Sequence, residues 1–299
     1  IGNYANDANV TGDYNVAIGR SALSTEDAHG YNVAIGAFAL LNQDAGDNAF
    51  DVAVGYSAGT AITTGKKNNL FGGSAGDALT TGNNNIAIGY EALSTEDTGS
   101  RNVAIGQSAL YSLNFNGNGY NIAIGHNAGL NVVTGTNNII IGAQAGDALV
   151  SGDNNTVLGY NAMGAANGSE SRNVAIGSNA LAAMDNDASN YNVAVGYDAG
   201  AAVTTGGYNA IMGGLAGDAL TTGQYNVAMG YATLSADVAG SDNVAIGAQA
   251  MSATDNARAN IAIGFNALQS LDYGSLTYSH NIGIGFDTGK LITTGTYNT

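Results

Sequence analysis

The sequence predicts an all-β parallel β-solenoid. Three observations carry that prediction: a glycine-anchored pentamer recurring about every 17 residues along all 299, a composition of 45 Gly without Pro, Cys or Trp, and 45% apolar against 10% charged residues. An internal repeat of fixed period outranks chain length as a guide to architecture. Much of the apolar content is Ala, Val and Ile. Abundant Gly with small and β-branched residues suits thin, tightly turned β-structure. A disordered chain would be poorer in β-branched residues, and collagen would need Pro with Gly at every third position.

The anchor is Asn-apolar-Ala-Ile-Gly, as in Asn15-Val16-Ala17-Ile18-Gly19. Its glycine recurs at Gly2, Gly19, Gly36, Gly55, Gly72, Gly89, Gly106, Gly125, Gly142, Gly159, Gly177, Gly196, Gly213, Gly230, Gly247, Gly264 and Gly285, which makes about 17 coils of 17–21 residues. Four residues before the anchors stands an Asn column: Asn15, Asn32, Asn68, Asn85, Asn102, Asn121, Asn138, Asn155, Asn173, Asn192, Asn209, Asn226, Asn243, Asn260 and Asn281, broken once by Asp51. Stacked amides that hydrogen-bond from coil to coil explain such a column better than a ligand, which would not need every coil. Val16 and Ile18 alternate with Ala17, the pattern of a short strand with one branched aliphatic face. The expected core of a two-strand coil is therefore Val16, Ile18, Ala22 and Leu23.

The coils are of two kinds, set by the residue four places after the anchor. It is Gly in one kind (Gly59, Gly76, Gly129, Gly146, Gly200, Gly217, Gly289) and Leu or Met in the other (Leu23, Leu40, Leu93, Leu110, Met163, Leu181, Leu234, Met251, Leu268). They alternate two by two, giving superrepeats over about 55–124, 125–195 and 196–284 within one continuous array, 1–299, with one extra leucine coil in the last. Both ends fall in mid-pentamer, the expectation for a window of a longer fibre. Extra length falls mainly in Leu41 to Asp51, Tyr111 to Tyr120, Ala182 to Tyr191 and Gln269 to His280. A solenoid accepts insertions where the chain projects to solvent, so these four are expected to be exposed loops.

Other solenoids fit less well. The hexapeptide helix needs an aliphatic residue every six positions, the calcium β-roll needs Gly-Gly-x-Gly-x-Asp, and a leucine-rich horseshoe needs more leucine. The formal charge of −16 argues against nucleic acid, whose phosphates require a basic face. No apolar run has the length of a membrane span. Burying a branched aliphatic is worth roughly 1.5–3 kcal/mol, against about 1–2 kcal/mol of backbone entropy per ordered residue. One thin chain looks short of stabilisation, and three parallel chains would bury a second face. A homotrimer is the expectation.

The pentamer, spaced by Ala-Leu and Thr-Thr-Gly segments, resembles the head repeats of trimeric autotransporter adhesins of the YadA type. It is more similar still to the 17-residue repeats of phage tail fibres. That resemblance covers the whole chain and implies a left-handed parallel β-roll in a homotrimer, on the cell surface or a virion.

Chemistry is sparse. Loop acids such as Ser24-Thr25-Glu26-Asp27, Ser94-Thr95-Glu96-Asp97, Asp77, Asp147 and Asp218 could suit Ca²⁺, since hard cations take oxygen ligands. None has EF-hand or β-roll spacing, so solvated turn acids and no cofactor are expected. His29, His126 and His280 are far apart in the chain and read as surface residues, not as part of a triad. An enzyme is the least expected class. The candidate recognition residues are the loop aromatics Tyr111, Phe115, Tyr120, Tyr191, Tyr273 and Tyr278, whose faces beside amides suit carbohydrate. The leading expectation is a structural fibre shaft that presents a distal receptor-binding region, with itself as partner in a trimer or longer filament. The alternatives are an adhesin module that binds cell-surface glycans through the leucine-coil loops, and an ice or mineral binder using the Thr pairs. Neither nucleic acid nor membrane insertion enters any of these readings.

Overall fold

The computed structural model describes residues 1–299 and is an all-β parallel β-solenoid of about 16 turns, without helices. The chain forms two compact units, Ile1–Gly152 and Asp153–Thr299. The first holds eight three-residue strands: β1 (Val16–Ile18), β2 (Val33–Ile35), β3 (Val52–Val54), β4 (Asn69–Phe71), β5 (Ile86–Ile88), β6 (Val103–Ile105), β7 (Ile122–Ile124) and β8 (Ile139–Ile141). Each pairs in parallel with the next and in strict register, Val103 against Ile122 and Ala104 against Ala123. The second holds β9 (Thr156–Leu158), β10 (Val174–Ile176), β11 (Val193–Val195), β12 (Ala210–Met212), β13 (Val227–Met229), β14 (Val244–Ile246), β15 (Asp255–Arg258), β16 (Ile261–Ile263), β17 (Asp272–Tyr278) and β18 (Ile282–Ile284). There β15 and β17 form a separate parallel pair, and the others continue one ladder.

The anchor glycine ends each strand because nothing else can. Its φ lies between 121° and 146° in every coil, a region closed to L side chains. A Cβ on Gly106 would stand 2.3 Å from the carbonyl oxygen of Gly125 in the next coil. Beyond the glycine the chain runs on as a second strand only at β15 and β17, contrary to the two-strand expectation for every coil. The second and fourth residues after the anchor are left-handed, as at Ser108 (φ 54°) and Leu110 (φ 49°), and so is the fifth residue before it, as at Tyr120 (φ 51°). Reversing the backbone twist at alternate residues aims the N–H groups both ways along the stack. Ser108 N–H donates to Tyr90 O in the preceding coil (3.0 Å), and Leu110 N–H to Ala128 O in the following one (3.1 Å). The corner is thus hydrogen-bonded like a sheet without being one.

The inward face of the strand is the opposite of that expected. Ala104 is fully buried, whereas Val103 and Ile105 are half-buried, and Val16 and Ile18 are exposed. The Asn sets this phase. Side chains alternate across a strand, so Asn102, fully buried, shares its face with Ala104 and turns Val103 and Ile105 outward. The core consists of the strand-centre residue, the Ala three places after the anchor and the Leu or Met one place later. Ala104, Ala109 and Leu110 are all fully buried.

The two-by-two alternation has a packing cause. Each pair of glycine coils receives one large strand-centre residue. A Cβ on Gly59 would come within 2.8 Å of Leu70 Cδ1, and one on Gly76 within 3.0 Å of Leu70 Cδ2. Ile140 stands in the same relation to Gly129 and Gly146, and Ile211 to Gly200 and Gly217. Where the corner supplies a Leu the strand centre is Ala; where the corner supplies Gly, a strand-centre Leu or Ile fills the space.

The long segments are less exposed than expected. Leu113, Met184, Leu271 and Gln43 are fully buried and hold each one to the core. Gln269 to His280 contains β17 and is no bare loop. Gly106→Ala should cost on the order of 3 kcal/mol or more in chemical denaturation, since backbone must move to admit the methyl. Gly46, with φ 69° and nothing within 4 Å of its Cβ position, should cost only about 1 kcal/mol on the same change.

Candidate functional site

The Asn column is a buried hydrogen-bond ladder. In a regular rung, Asn85 N–H donates to Asn68 Oδ1 (3.0 Å), while its Nδ2 donates to the same oxygen (3.2 Å) and to Gly99 O (2.9 Å). Rungs of this kind tie the strand to the turn 14 residues on, as Asn138 does to Gly152 O and Asn209 to Gly223 O. Asp51 breaks the pattern. Its Oδ1 accepts from Asn68 N–H (2.7 Å), but Oδ2 is buried with no partner, as is Nδ2 of Asn32 below it. The carbonyl of Gly65, 14 residues on, accepts instead from Gln43 Nε2 (3.3 Å). Burial raises the Asp51 carboxyl to about 7 against the opposing hydrogen bond from Asn68.

The loop acids are not simply solvated turn residues. Glu26, Glu96, Glu170 and Asp237 are fully buried, and their carboxylates hold the loops of the leucine coils. Glu96 accepts from the N–H groups of Gly99 (2.7 Å) and Phe115 (3.2 Å), and Asp237 from those of Gly240 (2.7 Å) and Asn256 (3.2 Å). Glu170 accepts from Gly168, Asn186 and Asp187. Burial pushes the Asp237 carboxyl up to about 7 and also raises Glu96, Asp147 and Asp218. The Ser-Thr-Glu-Asp run looks polar from end to end, which hid its buried member. The signal was positional: Glu26, Glu96 and Asp237 occupy the place seven after the anchor, where the glycine coils carry Ile62, Leu79 or Val132.

The candidate recognition aromatics separate into different environments. Tyr120 and Tyr191 are not loop tips but belong to a surface column, the left-handed residue just before the Asn or Asp51. In the first unit Tyr14, Tyr31 and Phe50 stack there at 5.0 Å spacing, and Arg101 lies over Tyr120 at 5.5 Å. In the second, Arg172 covers Tyr191 (5.5 Å), which stacks on Tyr208 (5.4 Å) and that on Tyr225 (5.0 Å). Tyr111 is exposed and Phe115 half-buried. Tyr273 is structural: its hydroxyl donates to Gly295 O and accepts from Asn281 Nδ2 (3.0 Å).

The column is interrupted for two coils after Tyr225, by Asp242 and Ala259, and resumes at His280 and Tyr297 (5.1 Å). The interruption opens a polar cleft of about 290 Å³, lined by Thr222, Gln224, Tyr225, Ser241, Asp242, Arg258 and Tyr278. Arg258 lies over the Tyr278 ring at 5.5 Å, and its buried Nε has no partner. Two aromatic walls with an amide, a carboxylate and a guanidinium between them can offer ring faces and hydrogen bonds to a polyhydroxylated ligand. Of the sequence candidates only Tyr278 lies here.

No family model matches the chain, and no curated protein matches it. The site must be read from its own geometry. The Thr pairs are partly occupied by the fold, since Thr80 Oγ1 donates to Asp97 O (2.9 Å) and Thr221 Oγ1 to Val238 O (2.9 Å).

The raised carboxyl of Asp51 makes stability depend on pH. Its folded value, about 7, lies above the 3.8 of an ordinary aspartate, so the folded state binds the extra proton. That contribution is complete below pH ~4, is lost as pH rises through 7 and is flat above, a change of a few kcal/mol. Asp51→Asn restores the missing donor and should be more stable than wild type at pH 8 by about 1–3 kcal/mol. Denaturation midpoints at pH 8 and pH 5 check this, and the gap should narrow at the lower pH.

Proposed function

We propose that the chain is a structural element: the stiff shaft of an extracellular or virion-attached fibre, built from parallel copies of itself in a homotrimer and holding a receptor-binding region at a distance. The observation that carries this reading is the outward row of aliphatics. Ile88 (39% exposed), Ile124 (36%) and Ile139 (41%) recur in the first unit, and Leu158, Val193, Met212 and Met229 at 37–42% in the second. They belong to two outward rows, one at each end of the three-residue strands: Ile88, Ile105, Ile124 and Ile141 follow in register along one, as do Leu158, Ile176, Val195, Met212 and Met229, while Ile139 and Val193 stand in the other. Repeated apolar surface of this kind marks an interface, and each branched side chain covered is worth on the order of 1 kcal/mol. A partner that matches an aliphatic pair once per coil must carry the same repeat, and a second copy does. The likeness of the pentamer to adhesin-head and tail-fibre repeats supports three copies.

A second reading, glycan binding, is favoured by the cleft between Tyr225 and Tyr278. It places recognition in one interrupted stretch of the aromatic column instead of along all the long loops.

Ile105 separates the fold from the assembly. It is half-buried on the outward face, so Ile105→Asp with Ile124→Asp should leave the β-signature of each chain intact and abolish self-association. Sedimentation equilibrium checks both species: wild type should weigh three chains and the variant one. A monomeric wild type would end the shaft reading as stated. For the second reading, an oligosaccharide array should lose its signals with Tyr225→Ala if the cleft is the binding site.

A further inference from the structure

We infer that Glu26, Asp27, His29 and Asp44 form a binding site for one divalent transition-metal ion of the Zn²⁺ type, joining two successive leucine coils. One ligand atom from each residue, three carboxylate oxygens and an imidazole nitrogen, lies within 4.8 Å of all the others. Although the sequence suggests a surface residue remote from the other histidines, the coil brings His29 beside three acids. Glu26, Asp27 and His29 come from the coil opened by Gly19, and Asp44 from the one opened by Gly36.

The second observation is an unpaired group. Glu26 is fully buried, its Oε1 accepts from His29 N–H (2.9 Å), and its Oε2 has no hydrogen-bond partner. His29 Nδ1, 3.3 Å from Glu26 Oε1, likewise has no hydrogen-bond partner. A buried carboxylate oxygen without a donor is costly, and a cation would satisfy it.

The repeat supplies its own control. The run Ser24-Thr25-Glu26-Asp27 recurs as Ser94-Thr95-Glu96-Asp97, in the same place on its coil. There the position of His29 is Gly99, that of Asp44 is Asn114, and both Glu96 oxygens are satisfied by the N–H groups of Gly99 and Phe115. The backbone roles are otherwise shared. His29 O accepts from Asn15 Nδ2 (2.8 Å) as Gly99 O does from Asn85 Nδ2 (2.9 Å), and Asp44 N–H donates to Thr63 O (2.8 Å) as Asn114 N–H does to Val133 O (2.9 Å). The fold needs neither the imidazole nor the second loop carboxylate.

The donor set selects the metal. Ca²⁺ takes six to eight oxygens, whereas one imidazole with three carboxylates suits the four-coordinate preference of Zn²⁺.

The test is calorimetric titration of the metal-stripped 299-residue chain with Zn²⁺, alongside melting curves. Wild type should take up one ion per chain at micromolar concentration and melt at a higher temperature. H29G with D44N, which installs the residues of the second copy, should lose that uptake and that shift while keeping the β-spectrum. D44N alone alters an exposed side chain, so it keeps the fold and should weaken binding. Absence of zinc uptake by wild type, equal uptake by the double variant, or uptake of Ca²⁺ in preference to Zn²⁺ would each overturn the assignment.

Discussion

The close approach of one anchor glycine to the carbonyl of the next governs everything else in each unit. Parallel strands lie about 4.8 Å apart, and a coil of 17 residues must turn, cross its own core and return to register within that rise. At the anchor there is room for hydrogen only, with Gly125 O standing 2.3 Å from where a Gly106 Cβ would be. That fixes the end of the strand at the same point in each coil and leaves three residues of regular ladder. The corners then have to be made from left-handed residues, which aim peptide groups alternately up and down the stack. Leu and Tyr at such positions carry a conformational cost of roughly 1 kcal/mol each, offset by interstrand hydrogen bonds and, for Leu, by complete burial.

A core so thin cannot exclude polar groups, and it uses them. The Asn ladder places one amide per coil inside the stack, where each satisfies backbone and side-chain acceptors at once. Carboxylates do the same work at the loops of the leucine coils, at the expense of raised protonation equilibria. Asp51 shows the limit of the device: a carboxylate has the shape of the amide without its donor, and its second oxygen is left buried without a partner. Glu26, which also has one unpartnered oxygen, stands instead among other residues able to hold a metal ion.

Two surfaces follow from the same geometry. Turning Asn and Ala inward turns the branched aliphatics outward, in a row with the period of the coil itself. Placing a left-handed residue before each rung of the ladder raises a second column, of stacked rings and guanidinium groups. A matching repeat suits the first surface, and the interruption of the second at Asp242 and Ala259 leaves a cleft.

The solenoid class, the anchor positions, the Asn column and the alternation of coil types were legible in the sequence, because each depends on a residue type that only one backbone environment tolerates. Gly and Asn report their surroundings directly. The direction in which a strand faces is another matter. Val103-Ala104-Ile105 alternates equally well in either phase, and hydrophobicity favoured the wrong one; only the burial of Asn102 decides it. Likewise the glycine pairs were visible as a pattern, but their cause, the room they leave for Leu70, Ile140 and Ile211, lies between neighbouring coils. The acids and His29 were hidden for the same reason. Residues 17 or so apart in sequence become neighbours only when the coils stack, and whether Glu26 meets solvent, a backbone N–H or an imidazole is decided by the coil beside it.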